Sequence, residues 1–239
     1  MHTKEASLAS LYGPDYYNFD GICLKVKAGE HFSFARYGDG EFLAILGAKG
    51  ANCDNHAYFK DMGEQLAATL SRNPPYGLAI FTTEISVSAD AYNWLEKNNL
   101  TGRKFSRSDV FHLAIKYRTV ERFFEVLNEK GFVLVGPAHL SRLTKKWNIT
   151  EFIEVPARDC WKYSSDVINQ IEKMNPTGKI LCFAASMAAN VWIDWLYQRY
   201  GTTCTMIDSG SVFDPFAGVN QRSFHRKAEW IPESKWFVK

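Results

Sequence analysis

Short apolar runs alternate with segments of helical periodicity from residue 31 almost to the end of this chain. Phe32, Phe34 and the ring of Tyr37 suit a half-buried strand over residues 31–37, and Phe42, Leu43, Ile45 and Leu46 begin a helical apolar face. Further strands are expected at residues 77–82, at 132–135, around Ile153 and Val155, at 179–184 and at 203–207. Helices are expected at 61–72, stopped by Asn73-Pro74-Pro75, and at 86–98, with Val87, Ala91, Trp94 and Leu95 on one side. Others follow at 117–130, ended by Gly131, at 167–174, closed by Asn175-Pro176, and at 187–200, ended by Gly201. Residues 1–30 read as an irregular or short helical lead-in broken at Gly13-Pro14 and Asp20-Gly21.

Short buried strands separated by helices predict an α/β fold, a doubly wound and mostly parallel sheet with helices on both faces. The 239 residues suit one domain spanning 1–239, with 1–30 as lead-in and 212–239 as a tail packing on or near the site. Ligands of such sheets bind at the carboxyl ends of the strands. There the sequence places Asp39 and Glu41, then Thr82, Thr83 and Glu84, then Gly136, His139 and Ser141, then Ala185 and Ser186, then Asp208, Ser209 and Ser211. Nearly all are small or polar, which suits a phosphate-bearing ligand at one sheet edge.

Composition narrows the class. A net charge of +2 does not by itself imply a nucleic-acid partner. Two local clusters, Arg103, Lys104 and Arg107 around Phe105 and the RSFHRK run at 222–227, keep nucleic acid open as an acceptor. The second cluster can close over a diphosphate or form a solvated basic face. Five cysteines without a CxxC pair indicate neither a zinc site nor a disulfide framework, so reduced thiols and a cytoplasmic location are expected. Neither a signal peptide nor a membrane span is expected.

The candidate chemistry centres on Gly38-Asp39-Gly40-Glu41. Flanking glycines permit positive φ and close approach to a ligand. In an extended or turning backbone the two carboxylates can point the same way, whereas on a regular helix they diverge by roughly 200°. Hard oxygen ligands at that spacing suit Mg²⁺ or Mn²⁺, and Arg36 adds positive charge for a phosphate. The plainer reading is a solvated turn with an acidic helix N-terminus. A Walker lysine and a GxGxxG fingerprint are both missing, which weakens ATPase and NAD readings. Gly136 can present backbone amides and a helix N-terminus to a diphosphate, or simply turn strand into helix. Small residues at Ala184 to Ser186 can likewise serve close packing. As general base for a hydroxyl acceptor, Asp208 ranks first, Asp214 second and Glu84 third, although Asp also caps turns. Of the histidines at 56, 112, 139 and 225, His139 has the best placement.

The string FARYGDGEF at 34–42 resembles the signature of the GT-D glycosyltransferases, whose Asp-any-Glu motif binds the metal. NCDNHAYF at 52–59, FVLVGPAHL at 132–140 and MIDSGSVFDPFAG at 206–218 are similar to later blocks of that superfamily, in the same order. The resemblance implies a Rossmann-like GT-D fold and a Mn²⁺- or Mg²⁺-dependent glycosyltransferase, with the metal at Asp39 and Glu41. Its donor would be a nucleotide-sugar, a UDP-sugar favoured, held by Arg36, Gly38, Gly40, Gly136, His139, Ser141, Ser186 and Ser211. Its acceptor would be a hydroxyl on a glycan, a glycoprotein or a modified DNA base. Two alternatives stay open. One is an S-adenosylmethionine-dependent or other Rossmann-type transferase in which Asp39 and Glu41 bond the cofactor's hydroxyls or amine. The other is a non-catalytic nucleotide or nucleic-acid binding module.

Overall fold

A computed structural model describes residues 8–13, 17–81, 87–220 and 222–238. Its frame is a sheet of seven parallel strands: β1 (Ser33–Tyr37), β2 (Gly77–Ile80), β3 (Ser106–Arg107), β4 (Phe132–Pro137), β5 (Ile149–Val155), β6 (Ile180–Phe183) and β7 (Thr205–Asp208). They lie in the order β3-β2-β1-β7-β6-β4-β5. The helices are α1 (Phe19–Ala28), α2 (Asp39–Ile45), α3 (Lys60–Arg72), α4 (Ser88–Lys97), α5 (Val110–Lys116), α6 (Glu121–Lys130), α7 (Ser164–Lys173), α8 (Ala188–Tyr200) and α9 (Ser223–Arg226).

Alternation along the strands builds two cores. Ala35 and Tyr37 of β1, Val133 and Val135 of β4, and Leu181 and Phe183 of β6 face α2, α3, α4, α7 and α8. Phe32 and Phe34, Phe132 and Leu134, and Cys182 and Ile207 face α1, α5, α6 and the C-terminal segment. On this second side Phe124, Trp147, Phe213, Phe216 and Trp236 form one aromatic cluster that anchors the tail. Both faces are therefore covered, as a parallel sheet requires.

Three expectations change. The lead-in contains a ten-residue helix, because Asn18 caps α1 by accepting the Gly21 N–H at 2.7 Å and so draws Asp20-Gly21 into the first turn. The segment before α6 holds β3 and a helix, α5, where no element was expected, and α6 starts at Glu121 rather than at 117. After β4 the chain enters a 3-10 helix (Ala138–Lys145) rather than an α-helix. Of the remaining expectations, Pro14, Thr82, Thr83, Glu84 and Ser86 lie outside the described residues.

The strand order sets the site. From β1 the chain runs outward to β2 and β3, then crosses to the other half and returns to β7 beside β1. Connections leaving β1 and β7 thus diverge, opening a crevice at their carboxyl ends.

Candidate active site

The turn after β1 is a helix start. Gly38 is extended (φ −97°, ψ −163°) and caps α2, so Asp39 and Glu41 both lie in the first helical turn. Glu41 folds back: its Oε2 accepts the Gly38 N–H at 2.7 Å, satisfying a donor the helix leaves free. A Cβ on Gly38 would stand 3.2 Å from that oxygen, so the glycine makes room for the carboxylate. Asp39 is exposed and has no hydrogen-bond partner among the described residues. The expectation of positive φ and parallel carboxylates is thereby corrected, since neither Gly38 nor Gly40 is left-handed and helical geometry splays the pair. Glu41 Oε1 receives the Asn190 Nδ2–H at 3.4 Å. Burial, and then the charges of Asp208 and Asp39, push the Glu41 carboxyl up to about 7 against the opposing Gly38 N–H.

Arg36 ties the crevice together. Its Nε donates to the Asp208 carbonyl at 2.9 Å, Nη1 to the Ser108 carbonyl at 3.0 Å and Nη2 to Asp208 Oδ1 at 3.1 Å. The guanidinium also lies over the Phe111 ring, 5.6 Å from its centroid. From α8 the buried Asn190 side chain accepts from the Arg36 N–H at 3.0 Å and donates to its carbonyl at 2.8 Å. Asp208 Oδ1 accepts the Gly210 N–H as well. Gly210 is left-handed (φ +52°), and a Cβ there would overlap the Arg36 guanidinium. Arg36 is thus a brace between β1, β7 and the end of β3.

A cleft of about 520 Å³ opens over these groups. On one side Asn52 donates to Ser186 Oγ at 2.8 Å, while its Oδ1 accepts the Asp54 and His56 N–H groups. Ser186 is a left-handed non-glycine residue (φ +52°), a conformation that concentrates at functional sites. Asp159 pins the same loop by accepting the Ala57 N–H at 2.9 Å, and the neighbouring Arg158 is exposed at the cleft without a partner among the described residues. Opposite, Arg222 of the tail pairs with Asp54 and reaches Cys53 Sγ, and Phe224 stacks on His112 with centroids 4.2 Å apart. Ser211 Oγ lies 3.5 Å from the buried His225 Nε2, whose imidazole is pulled down to about 4 by burial and then by Arg222. Farther along, His139 Nε2 stands 3.0 Å from Asp214 Oδ1.

The cleft gathers most of the residues singled out from sequence: Arg36, Gly38, Asp39, Gly40, Glu41, His139, Ser186, Asp208, Ser211 and Asp214. Two lie elsewhere. Gly136 is buried within β4, where a Cβ would meet Leu140 Cδ1 at 2.7 Å, so close packing accounts for it. Ser141 is exposed on the 3-10 helix and does not line the cleft. Glu84 falls outside the described residues. Sequence reasoning missed Asn190, Ser108, Asp109, Phe111 and Arg158, while His112, one of the four histidines weighed, and Phe224, the aromatic of the basic tail, do line the cleft. A polar residue inside the apolar run of α8 was the available signal for Asn190. Of the basic cluster at 103–107, Arg103 bonds the Pro74 and Tyr76 carbonyls, Lys104 the Ser10 carbonyl and Arg107 the Asp109 carboxylate.

Among the described residues, no three His, Cys, Asp or Glu side chains converge as a metal cage. None of the helices there is long and apolar enough to cross a membrane. No family model matches the chain, and no curated protein matches it. Solved structures do share its fold. One, a selenomethionine-substituted domain of unknown function 1792, aligns with a TM-score of 0.61 at 14% identity, over 86% of this chain and 80% of that one. Another, of the same highly conserved domain and described as having a distinct glycosyltransferase fold, gives 0.60 at 16% identity over 86% and 80%. A third, a glycosyltransferase of this domain type from Streptococcus sanguinis, gives 0.60 at 14% identity over 82% and 81%. At these identities the likeness is one of fold.

Proposed function

We propose that the protein is a metal-dependent glycosyltransferase that moves a sugar from a nucleotide-diphosphate donor, a UDP-sugar by the resemblance of residues 34–42, to a hydroxyl acceptor. The observation that carries this reading is the acidic start of α2 at the crevice between β1 and β7, in a fold shared with structures described as glycosyltransferases. The residues present suit Mn²⁺ or Mg²⁺. Asp39 has no protein partner among the described residues, and Glu41 has one oxygen lightly engaged. One or two carboxylates suffice for such ions, so the splay of Asp39 from Glu41 leaves Asp39 able to hold the ion, with water and phosphate oxygens in its remaining positions. Bound there, the ion would neutralise charge on the departing diphosphate.

The chain's own groups supply the rest. The Arg36–Asp208 brace fixes the separation of the β1 and β7 connections, so the carboxylates of α2 stay registered against the opposite wall. Phe111, Ile115 and the stacked His112–Phe224 pair give an apolar flank for a base or sugar ring. With its Oδ1 held by Arg36 and Gly210, Asp208 is suited to bracing more than to taking a proton.

The test is turnover. Incubated with UDP-, GDP- or ADP-sugars, the protein should release one nucleoside diphosphate with Mn²⁺ present, and EDTA should stop the release. Turnover indifferent to EDTA, or consumption of S-adenosylmethionine instead, contradicts the reading.

A further inference from the structure

The geometry points to His139 as the catalytic base of the transfer, with Asp214 as the positioning residue that orients it. This inference rests on the transferase reading above. His139 follows β4 and Asp214 follows β7, and their side chains meet across the cleft wall with Nε2 and Oδ1 3.0 Å apart. An ionised Asp214 has no proton to donate, so His139 Nε2–H is the donor and Nδ1 carries the lone pair. That Nδ1 has no partner among the described residues, and the ring is only partly covered, at 28% exposure. Asp214 is held in turn by its place at the start of a 3-10 helix (Asp214–Ala217), where its own N–H donates to the Ser211 carbonyl at 3.2 Å. Burial pushes the Asp214 carboxyl up and the His139 contact opposes it, while Asp54 and Arg222 also face it, one charge of each sign.

Position separates this pair from the metal side. Asp39 and Glu41 follow β1 and His139 follows β4, and between these two strands lie β7 and β6. The cleft between them, about 520 Å³, has room for a diphosphate and a sugar ring, with the imidazole on the side where an acceptor hydroxyl would approach. In the step the acceptor oxygen bonds to the anomeric carbon as its proton passes to His139 Nδ1. The bond from anomeric carbon to phosphate oxygen breaks, its electron pair leaving on the nucleoside diphosphate, and the imidazolium is stabilised by Asp214. Asp208 is bonded instead to a guanidinium and Glu41 to its own helix terminus.

Three measurements on the full chain test this, with UDP and Mn²⁺ as the binding probe and the consumed nucleotide-sugar as substrate. His139→Ala should lower kcat by about 10²- to 10⁴-fold, the range of general-base loss. Its affinity for the diphosphate should not change, and added imidazole should restore part of the rate. In ¹⁵N spectra of the imidazoles, wild-type His139 should show the Nε2–H tautomer, and Asp214→Asn should shift it toward Nδ1–H while lowering kcat. His139→Gln repeats the kinetic test should the alanine variant unfold. Unchanged kcat in the His139 variants, weaker diphosphate binding with kcat intact, or a tautomer indifferent to Asp214→Asn overturns the assignment. Failure of the wild type to bind any nucleoside diphosphate overturns the transferase reading itself.

Discussion

Burial, and then the charges of Asp208 and Asp39, push the half-buried Glu41 carboxyl up to about 7 from its ordinary 4.5. Between those values the native state keeps a proton that the unfolded chain has released. The stability this group contributes is therefore complete below about 4.5 and is lost as pH rises through about 7. A shift of this size corresponds to about 3 kcal/mol. Glu41→Gln retains an acceptor for the Gly38 N–H and removes the charge. In metal-free protein it should raise Tm at pH 8 and leave it unchanged at pH 4, by thermal unfolding at the two pH values. Added Mn²⁺ should then stabilise the wild type at pH 8 and not the variant. A variant less stable than wild type at pH 8 without metal would show that the charge is compensated in the native protein.

At the scale of elements, the site depends on how α8 grips β1. Asn190 sits fully buried in a helix whose neighbours are Ala189, Val191, Trp192 and Ile193, and it bonds both backbone polar groups of Arg36. Asn190→Ala leaves those groups unsatisfied, at about 1–3 kcal/mol each. The urea midpoint should fall accordingly with the slope unchanged, and a midpoint within error of wild type would mean water replaces the amide. The elements themselves were largely legible. Runs such as Phe132 to Val135 and Ile180 to Phe183 read as buried strands because nothing else is apolar for so short a length. Asn73-Pro74 and Asn175-Pro176 stop helices by steric exclusion. β3 and the start of α5 have no such signature, because a two-residue strand has no period to detect and Ser106 to Asp109 is as polar as any loop. The start of α2 was misjudged for a related reason. Gly38 and Gly40 read as a flexible turn, whereas Glu41 reaching back to Gly38 closes a helix.

Over the whole molecule, the fold class follows from alternation, but the strand order that makes the site does not. Arg36 meets Asp208 across 172 residues and Asn190 across 154, and His139 meets Asp214 across 75. No local pattern encodes such pairs. They exist because β7 inserts between β1 and β6, bringing the ends of four separate strands to one rim. Candidate residues were still recoverable from the rule that ligands meet the carboxyl ends of parallel strands. That rule gathered Asp39, His139, Ser186, Asp208 and Ser211, and it misplaced Gly136 and Ser141, whose surroundings depend on the turn that follows. The tail joins the same rim, with Arg222 on Asp54 and Phe224 on His112, so residues from β1 to the C-terminal segment share one cleft. On the function proposed above, this cleft holds a nucleoside diphosphate through a metal at the start of α2. Calorimetric titration of UDP into wild type and into the Asp39→Ala plus Glu41→Ala variant, each with and without Mn²⁺, tests it most directly. Heat of binding should appear only for wild type with Mn²⁺ present. Equal affinity in the double variant, or in wild type without the metal, would contradict it.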